Sequence, residues 1–243
     1  MPRGGQQTIP RPNDWVPGAP NPWSDRVRPS SFALGEIERR LGRHVIALDA
    51  AEATGEPIQD SEIPTTPMRP PFVTTRRDAA VLAPLFVDAN GETSVLLTRR
   101  SGRLRNHRGE VSFPGGRIDE GESAIQAALR ETHEEVNLHP SAIRIVGRLE
   151  PLTTVVSSSK ITPFIGVVDD MAALLPTLVP SPAEVDRIFS VTLRELTDPD
   201  CFREEIWTFP DGTFPVWFFE VDDDTVWGAT GRMLRRLLDL VLL

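Results

Sequence analysis

The stretch from residue 116 to residue 138 constrains the fold of this chain more than any other part of the sequence. Apolar residues recur at helical spacing over residues 123–136, which predicts a helix there. Three acids of that helix, Glu131, Glu134 and Glu135, stand at positions i, i+3 and i+4 and therefore project from one side of it. Like charges repel at this spacing, so a bound cation is expected, and hard ions such as Mg²⁺ and Mn²⁺ prefer oxygen ligands.

The predicted helix also carries an apolar stripe that is separate from the acids. Its members are Ile125, Ala128, Leu129, Thr132 and Val136. A stripe of this kind packs onto a sheet, so the acids are expected to border the core without entering it. The alternative is a solvated acidic face, which is what most Glu-rich helices have, and the flanking residues decide between the two.

The spacing of the charged residues resembles the Nudix box. That pattern is Gly, five residues, Glu, seven residues, Arg-Glu, an aliphatic residue, any residue, Glu-Glu, any residue, Gly and an aliphatic residue. The residues on its fixed positions are Gly116, Glu122, Arg130, Glu131, Glu134, Glu135 and Leu138. Thr132 departs from the pattern in the first aliphatic position, and Asn137 stands in place of the second Gly. Neither departure touches the chemistry, because Thr can be half-buried and Asn is the next best residue after Gly for a left-handed helix end.

The resemblance implies an α/β/α sandwich with a mixed β-sheet, and metal-dependent hydrolysis of a nucleoside diphosphate linked to another group. The implied ligands of Mg²⁺ or Mn²⁺ are Glu131, Glu135, Glu134 and the Gly116 carbonyl. Glu122 and Arg130 are implied to form a structural salt bridge that holds the loop against the helix. Glu131 is the first choice for the general base, and Glu184 is the second.

Composition excludes several classes of protein. The net charge of −9 gives no basic surplus to neutralise phosphates along a strand, which argues against general nucleic-acid binding. Cys201 is the only cysteine, so no internal disulfide and no cysteine-based metal site can form, and we expect an inert thiol. Neither an apolar run long enough to cross a bilayer nor a signal peptide is evident. A soluble cytoplasmic protein is therefore expected.

The N-terminal third of the chain predicts little regular structure. Residues 1–30 form a proline-rich, irregular arm. Its Trp15 and Trp23 are interpreted either as anchors on the domain or a neighbouring subunit, or as incidental aromatics of a disordered tail. Residues 31–76 predict a short amphipathic helix, capped by Ser31, and a linker. The catalytic domain is expected to span residues 77–243.

Strand patterns dominate that domain. Residues 79–87 and 93–98 predict a hairpin, in which Pro84 makes the first strand bent or edge-like. Further strands are predicted at 143–149, 162–168, 186–193, 204–209 and 214–221, with a turn at 210–212 joining the last two. Residues 230–243 predict a closing helix capped by Thr230. Its core face is predicted to consist of Leu234, Leu237, Leu238 and Val241, and its apolar last residues, 240–243, leave a subunit contact open.

An arginine-rich run around a single histidine precedes the box. The order of residues from 96 to 116 resembles the additional signature of the coenzyme A pyrophosphatase branch of the Nudix family. That resemblance implies cleavage of coenzyme A or an acyl-CoA to 3′,5′-ADP and 4′-phosphopantetheine. The implied ligands of the diphosphate and the 3′-phosphate are Arg99, Arg100, Arg105 and His107. Residues 157–159, three serines, form a polar loop that either borders the site or is plain surface.

Other functions stay open. Pro151 lies about where the ADP-ribose branch places a proline, so an ADP-ribose or nucleotide-sugar pyrophosphatase is the second interpretation. The absence of tyrosine counts against the diadenosine-polyphosphate branch. A protein of another class, a Nudix-fold sensor that binds a nucleotide without cutting it, is less favoured because the acids are intact. The family's fold often dimerises, so a homodimer is expected.

Overall fold

The computed structural model describes residues 4–5, 7–23, 32–44, 78–104, 107–153, 160–210 and 212–242. Over these residues the chain forms two β-sheets with helices packed on both faces of the larger one. The strands are β1 (Val16–Pro17), β2 (Asp78–Val87), β3 (Thr93–Arg100), β4 (Val111–Ser112), β5 (Gly115–Arg117), β6 (Arg144–Arg148), β7 (Leu152–Thr153), β8 (Lys160–Val167), β9 (Val185–Thr192), β10 (Phe202–Phe209), β11 (Gly212–Val221) and β12 (Asp224–Val226). The helices are α1 (Leu34–His44), α2 (Ala124–Val136), α3 (Met171–Leu174), α4 (Leu193–Leu196) and α5 (Gly228–Leu242).

Strand β2 lies at the centre of the eight-stranded sheet. On one side it pairs antiparallel with β3, where Leu85 faces Val95, and with β5, where Ala80 faces Gly116. On the other side it pairs parallel with β8. The sheet is therefore mixed, and the predicted hairpin of β2 and β3 is confirmed. The later strands that we predicted are also present as β6, β8, β9, β10 and β11.

Of the two expectations for Pro84, a bent or an edge-like strand, the edge strand is wrong, because β2 is paired on both sides. Leu82, two residues earlier, donates its N–H to the Pro114 carbonyl at 2.9 Å, on the β5 side of the strand. Alternation along a strand directs the nitrogen of residue 84 to the same side. The β5 ladder ends at Val81 and the β3 ladder begins at Leu85, so Pro84 falls between them. A central strand accommodates proline here because no neighbouring strand needs its N–H.

Alternate residues of β2 enter different cores. Val81, Ala83 and Leu85 belong to a large core that includes α1 and α5, whereas Ala80 and Leu82 pack against α2 on the opposite face. Period-2 alternation thus gives the sheet two buried faces, each covered by helix. The predicted α/β/α sandwich with a mixed sheet is confirmed.

The smaller sheet joins the N-terminal arm to the domain. Its order is β1-β10-β11-β12, all antiparallel. Beyond β1, the Trp23 ring lies 5.0 Å from Phe202 and 6.4 Å from Phe219, with only 1% of the residue exposed. Trp23 is therefore an anchor on the domain. Trp15 is half-buried under the guanidinium of Arg11, 4.3 Å from its ring centre.

The closing helix begins earlier than the sequence suggests. Helix α5 starts at Gly228, which has a φ of +63°, and Thr230 lies inside the helix and is buried, so the predicted Thr230 cap is wrong. The predicted core face of α5 is buried in full. Leu240 and Val241 are buried too, so these two residues pack inward within the chain.

Several expectations fall outside the described residues. The predicted domain boundaries lie in 24–31 and 45–77 and stay predictions. The serines at 157–159 are not described either, nor is Asp211 in the turn between β10 and β11. Within the described residues, Cys201 is fully buried, as an inert thiol requires. No helix among them has the length and apolar character that a membrane span requires.

Candidate active site

Local sequence signals fix both ends of α2. Ser123 caps its start: the hydroxyl accepts from the Gln126 N–H at 3.3 Å, and the Gln126 side chain accepts from the Ser123 N–H at 2.9 Å. Asn137 ends the helix in the left-handed region, with φ +60°, and donates its N–H to the His133 carbonyl. The expected helix and its left-handed end are confirmed. The caps fix where α2 begins and ends, and Ile125, Ala127 and Ala128 pack its apolar face onto the sheet.

Glu135 enters the core, contrary to the expectation that the acids only border it. Only 3% of the residue is exposed. One carboxylate oxygen accepts from the Gly115 N–H at 3.2 Å, and the other lies 3.8 Å from Nη1 of Arg100. Burial raises the pKa of Glu135 to about 7, and the Gly115 hydrogen bond and the Arg100 charge oppose that rise. The sequence pattern missed this burial because it places Glu135 beside the apolar stripe, not in it.

Glu131 occupies a space that a glycine leaves open. A Cβ on Gly116 would lie 2.4 Å from the carboxylate carbon of Glu131 and within 2.6 Å of both its oxygens. Burial raises the pKa of Glu131, while a hydrogen bond from Arg130 lowers it. Gly116 is therefore needed to let a half-buried carboxylate lie against β5.

Three carboxylates converge at this point. One oxygen each of Glu131, Glu135 and Glu184 lies within 4.8 Å of the others. Glu184 precedes β9, where its carbonyl accepts from the Ser101 N–H at 2.8 Å. Among the described residues this is the group of acids whose positions suit a single cation.

Glu134 lies apart from this group, although the sequence placed it among the metal ligands. Its carboxylate is exposed and accepts from Nη1 of Arg130 at 3.1 Å. Since Glu134 is one residue from Glu135, the helix turns it away from the sheet. Glu184 lies with Glu131 and Glu135, where we had expected Glu134. The sequence had suggested Glu184 only as a general base. The Gly116 carbonyl stays a predicted ligand.

The predicted salt bridge between Glu122 and Arg130 is present and bidentate. Nε and Nη2 of Arg130 donate to the two carboxylate oxygens of Glu122 at 2.9 and 3.0 Å. Nη2 also donates to the Arg117 carbonyl at 3.1 Å, and Nη1 donates to Glu131 at 3.0 Å. These bonds raise the pKa of Arg130 and lower that of Glu122. One guanidinium therefore ties the loop before α2 to β5 and to Glu131.

Neighbouring arginines of β3 lie on opposite faces of the sheet. Arg100 is on the α2 side, beside Glu135. Arg99 is on the other side, where it donates to Asp186 at 3.0 Å and lies 3.4 Å from a carboxylate oxygen of Asp224. The Asp224 side chain is only 2% exposed and also contacts Arg187 at 3.2 Å. Arg99 is thus held by acids, whereas the sequence assigned it to the substrate.

Among the described residues, His107 does not contact the three carboxylates; its partner is a neighbouring acid. His107 is exposed, has a φ of +56° and shares a hydrogen bond with Glu110 at 2.9 Å. Arg105 lies outside the described residues. Of the predicted substrate ligands that the structure describes, Arg100 is the one that lies beside the carboxylates.

Comparison with known proteins decides the family. A family model described as the NUDIX domain matches residues 76–213, more than half of the chain. The chain belongs to the Nudix family. Nudix hydrolase 3 of Caenorhabditis elegans is 35% identical over 175 residues, which cover 67% of this chain and 72% of that protein. The uncharacterized Nudix hydrolase NudL of Photorhabdus laumondii is 34% identical over 184 residues, or 74% of this chain and 92% of that protein.

Solved structures resemble the chain more distantly. The Nudix domain of Shewanella oneidensis NrtR complexed with ADP ribose is 20% identical, with a TM-score of 0.41, and the match covers 51% of this chain and 77% of that one. A likeness at this level carries no information about the substrate. The family itself establishes a Nudix hydrolase, which acts on nucleoside diphosphates linked to another group.

Nudix hydrolases use divalent cations such as Mg²⁺ or Mn²⁺, and the residues present here fit such an ion. Glu131, Glu135 and Glu184 offer three oxygen donors of the kind that these ions prefer. Glu135 is buried among like charges, an arrangement that a cation would relieve. Gly116 leaves the space in which Glu131 lies. Within the described parts of the chain the group consists of carboxylates alone, which also suits a hard ion.

Some residues of this Nudix site have roles that the sequence did not predict. Gly115 supplies the N–H that Glu135 accepts, and with a φ of +147° it lies so close to β2 that a Cβ would be 2.4 Å from the Ala80 carbonyl oxygen. The adjacent glycines were the available signal. Asp224 and Asp186, which hold Arg99, carry no local signal, because they are brought to it only by the sheet.

Proposed function

We propose that this Nudix hydrolase cuts the diphosphate of coenzyme A or an acyl-CoA, giving 3′,5′-ADP and a 4′-phosphopantetheine, with Mg²⁺ or Mn²⁺ as the cofactor. The observation that carries the proposal is the position of Arg100. Its Nη1 lies 3.8 Å from Glu135, and its Nε is buried without a hydrogen-bond partner among the described residues. A buried donor without a partner is costly, and an anionic oxygen of a bound diphosphate would satisfy it.

The substrate class rests on the sequence from 96 to 116. This run begins in β3, whose last residue is Arg100, and ends in β5 at Gly116, against Glu131. The residues that resemble the coenzyme A signature therefore lead directly into the group of three carboxylates. This continuity supports an assignment in which the same segment contacts the diphosphate of the substrate.

Metal binding, substrate orientation and proton transfer fall to different side chains of the site. Glu131, Glu135 and Glu184 would hold the divalent cation, which supplies neutralisation of the diphosphate charge and makes water more acidic. Arg100 orients the diphosphate through charge-assisted hydrogen bonds. Glu131, whose pKa burial raises, takes the proton of the attacking water. The water oxygen bonds to phosphorus as the bridging phosphorus–oxygen bond breaks, and the second phosphate leaves.

Product analysis tests this proposal. Purified protein with Mg²⁺ or Mn²⁺ is offered coenzyme A, ADP-ribose and NADH side by side. We expect 3′,5′-ADP from coenzyme A, and a loss of at least about a hundredfold in kcat for Glu135→Gln, in line with the effect of removing a group that acts in the transition state. Glu120→Gln, at an exposed acid of the turn before α2, is the matched control.

Each other outcome has a definite meaning. Cleavage of ADP-ribose alone would replace coenzyme A by the second interpretation, an ADP-ribose pyrophosphatase. Binding of these ligands without cleavage would favour the nucleotide sensor.

A comparison of Glu184→Gln with Glu134→Gln tests which acid is the third metal ligand beside Glu131 and Glu135. We expect the Glu184 variant to lose more Mn²⁺ affinity, because the Glu184 oxygen lies with those of Glu131 and Glu135.

A further inference from the structure

The N-terminal arm reaches the segment that carries Arg100. Gly4 donates its N–H to the Asp222 carbonyl at 3.0 Å, and Gly5 donates to the Thr225 hydroxyl at 3.1 Å. Both contacts are with the β11–β12 hairpin. A Cβ on Gly5 would lie 2.6 Å from the Asp223 carbonyl oxygen and 2.2 Å from the side-chain oxygen of Gln7. The arm is thus fitted closely to this hairpin.

Gln7 bonds to two separate elements at once. The side-chain amide oxygen of Gln7 accepts from the Thr225 N–H at 2.8 Å, so this side chain is bonded to β12. The side-chain nitrogen Nε2 of Gln7 donates to the Gly109 carbonyl at 3.1 Å and to the Thr225 carbonyl at 3.3 Å. The same nitrogen is 3.5 Å from Asp224, the acid that lies against Arg99.

A short path leads from Gln7 to the site. Gly109, which accepts from Gln7, donates its own N–H to the Arg100 carbonyl at 3.1 Å. The Arg100 N–H in turn donates to the Glu110 carbonyl at 2.9 Å. Arg100 is therefore held through the turn at 107–110, and among the described residues of the arm Gln7 is the one bonded to that turn.

We infer that Gln7 is a positioning residue: through the Gly109 carbonyl it fixes the 107–110 turn, and with it Arg100, relative to β12. The arm then contributes to the substrate side of the site without touching substrate. The kinetic consequence rests on the proposed function, whereas the structural consequence does not.

Limited proteolysis tests the structural consequence. Trypsin cleaves after Arg108, which is exposed and adjoins Gly109. We expect cleavage after Arg108 to become about tenfold faster in Gln7→Ala, because hydrogen bonds that oppose local opening are lost. Gln7→Glu keeps an acceptor for the Thr225 N–H but replaces the donor to Gly109 by a negative charge beside Asp224, so cleavage after Arg108 should rise at least as much as in Gln7→Ala. Asn21→Ala is the control, since its amide contacts the carbonyls of Thr197 and Asp198.

Kinetics provide the second readout. In both Gln7 variants the KM for coenzyme A should rise about tenfold and kcat should stay within about twofold, because uniform binding is lost and the carboxylates are untouched. Unchanged cleavage after Arg108 in the Gln7 variants overturns the inference, even if coenzyme A is cut. An equal increase at all sites in the Gln7 and Asn21 variants also overturns it. If coenzyme A is not a substrate, the trypsin result still decides.

Discussion

The Cα of Gly116 lies so close to Glu131 that a methyl group on it would be 2.4 Å from the carboxylate carbon. Gly116 is followed by Arg117 in a strand that pairs with β2, so the backbone cannot retreat. Any side chain at residue 116 must therefore displace the carboxylate.

Gly116→Ala should weaken metal binding and leave the fold intact. The added methyl pushes the Glu131 carboxylate away from Glu135 and Glu184, so we expect Mn²⁺ affinity to fall by about tenfold or more, as when the surroundings of a metal ligand are disturbed. Titration calorimetry measures this. Gly35→Ala, in α1, is the control because its Cβ meets nothing within 4 Å. Equal Mn²⁺ affinity in the two variants would refute the prediction.

The stability of the metal-free protein should depend on pH through Glu135. Its pKa is raised from 4.5 to about 7 by burial. A carboxyl group with a higher pKa in the folded state contributes stability that is complete below the unfolded value and is lost as pH rises through the folded value. The loss by pH 8 is about 3 kcal/mol in the free energy of unfolding.

Urea denaturation in EDTA between pH 4 and pH 8 measures this contribution. Glu135→Gln cannot ionise, so the wild type should lose stability relative to this variant as pH rises. Added Mg²⁺ should reduce the loss, because a cation stabilises the ionised carboxylate. Parallel pH curves for the two proteins would rule out the titration of Glu135 as the cause.

Glu122→Gln should destabilise the fold. The substitution replaces one charged acceptor of the bidentate pair with Arg130 by an amide, at a side chain that is 15% exposed. We expect a loss of about 1.5–3 kcal/mol in the free energy of unfolding at pH 7, the range for hydrogen bonds to charged groups. Urea denaturation is the measurement. Glu120→Gln, at an exposed residue nearby, should change stability by less than about 0.5 kcal/mol.

The two tryptophans of the arm should differ widely in their contribution to stability. Trp23→Ala removes a fully buried ring from between Phe202 and Phe219 and should cost about 3–5 kcal/mol. Trp15→Ala removes a half-buried ring that mainly stacks under Arg11, so a cost of about 1 kcal/mol or less is expected. Thermal unfolding of both variants tests the difference. Similar melting temperatures would contradict the anchoring role of Trp23.

Sequence predicted those parts of the site that depend on neighbours in the chain. The helix over 123–136, the left-handed Asn137 and the pair of Glu122 with Arg130 all connect residues within about two helical turns or one helix, and each has a short-range physical cause. The β2–β3 hairpin was predictable for the same reason.

What the sequence could not predict depends on contacts between distant segments. The burial of Glu135 requires Gly115 and Arg100 on the sheet, and the third carboxylate comes from Glu184, beyond β8. The contacts of Arg99 are also long-range. Strand alternation predicts that Arg99 and Arg100 lie on opposite faces of the sheet. That Asp186 and Asp224 contact Arg99 is visible only in the folded chain.

The parallel pairing of β2 with β8 has a consequence for how the site comes into being. The chain between these two strands contains β5 and α2, which carry Gly116, Glu131 and Glu135. The strands can pair only after that long segment closes on itself, and loop closure costs entropy before the contacts that offset it exist. A well-capped α2 can form early, but its acids face β5 and Glu184 only once this long-range pairing has occurred. The three converging carboxylates therefore come together only in the late, slow steps of folding.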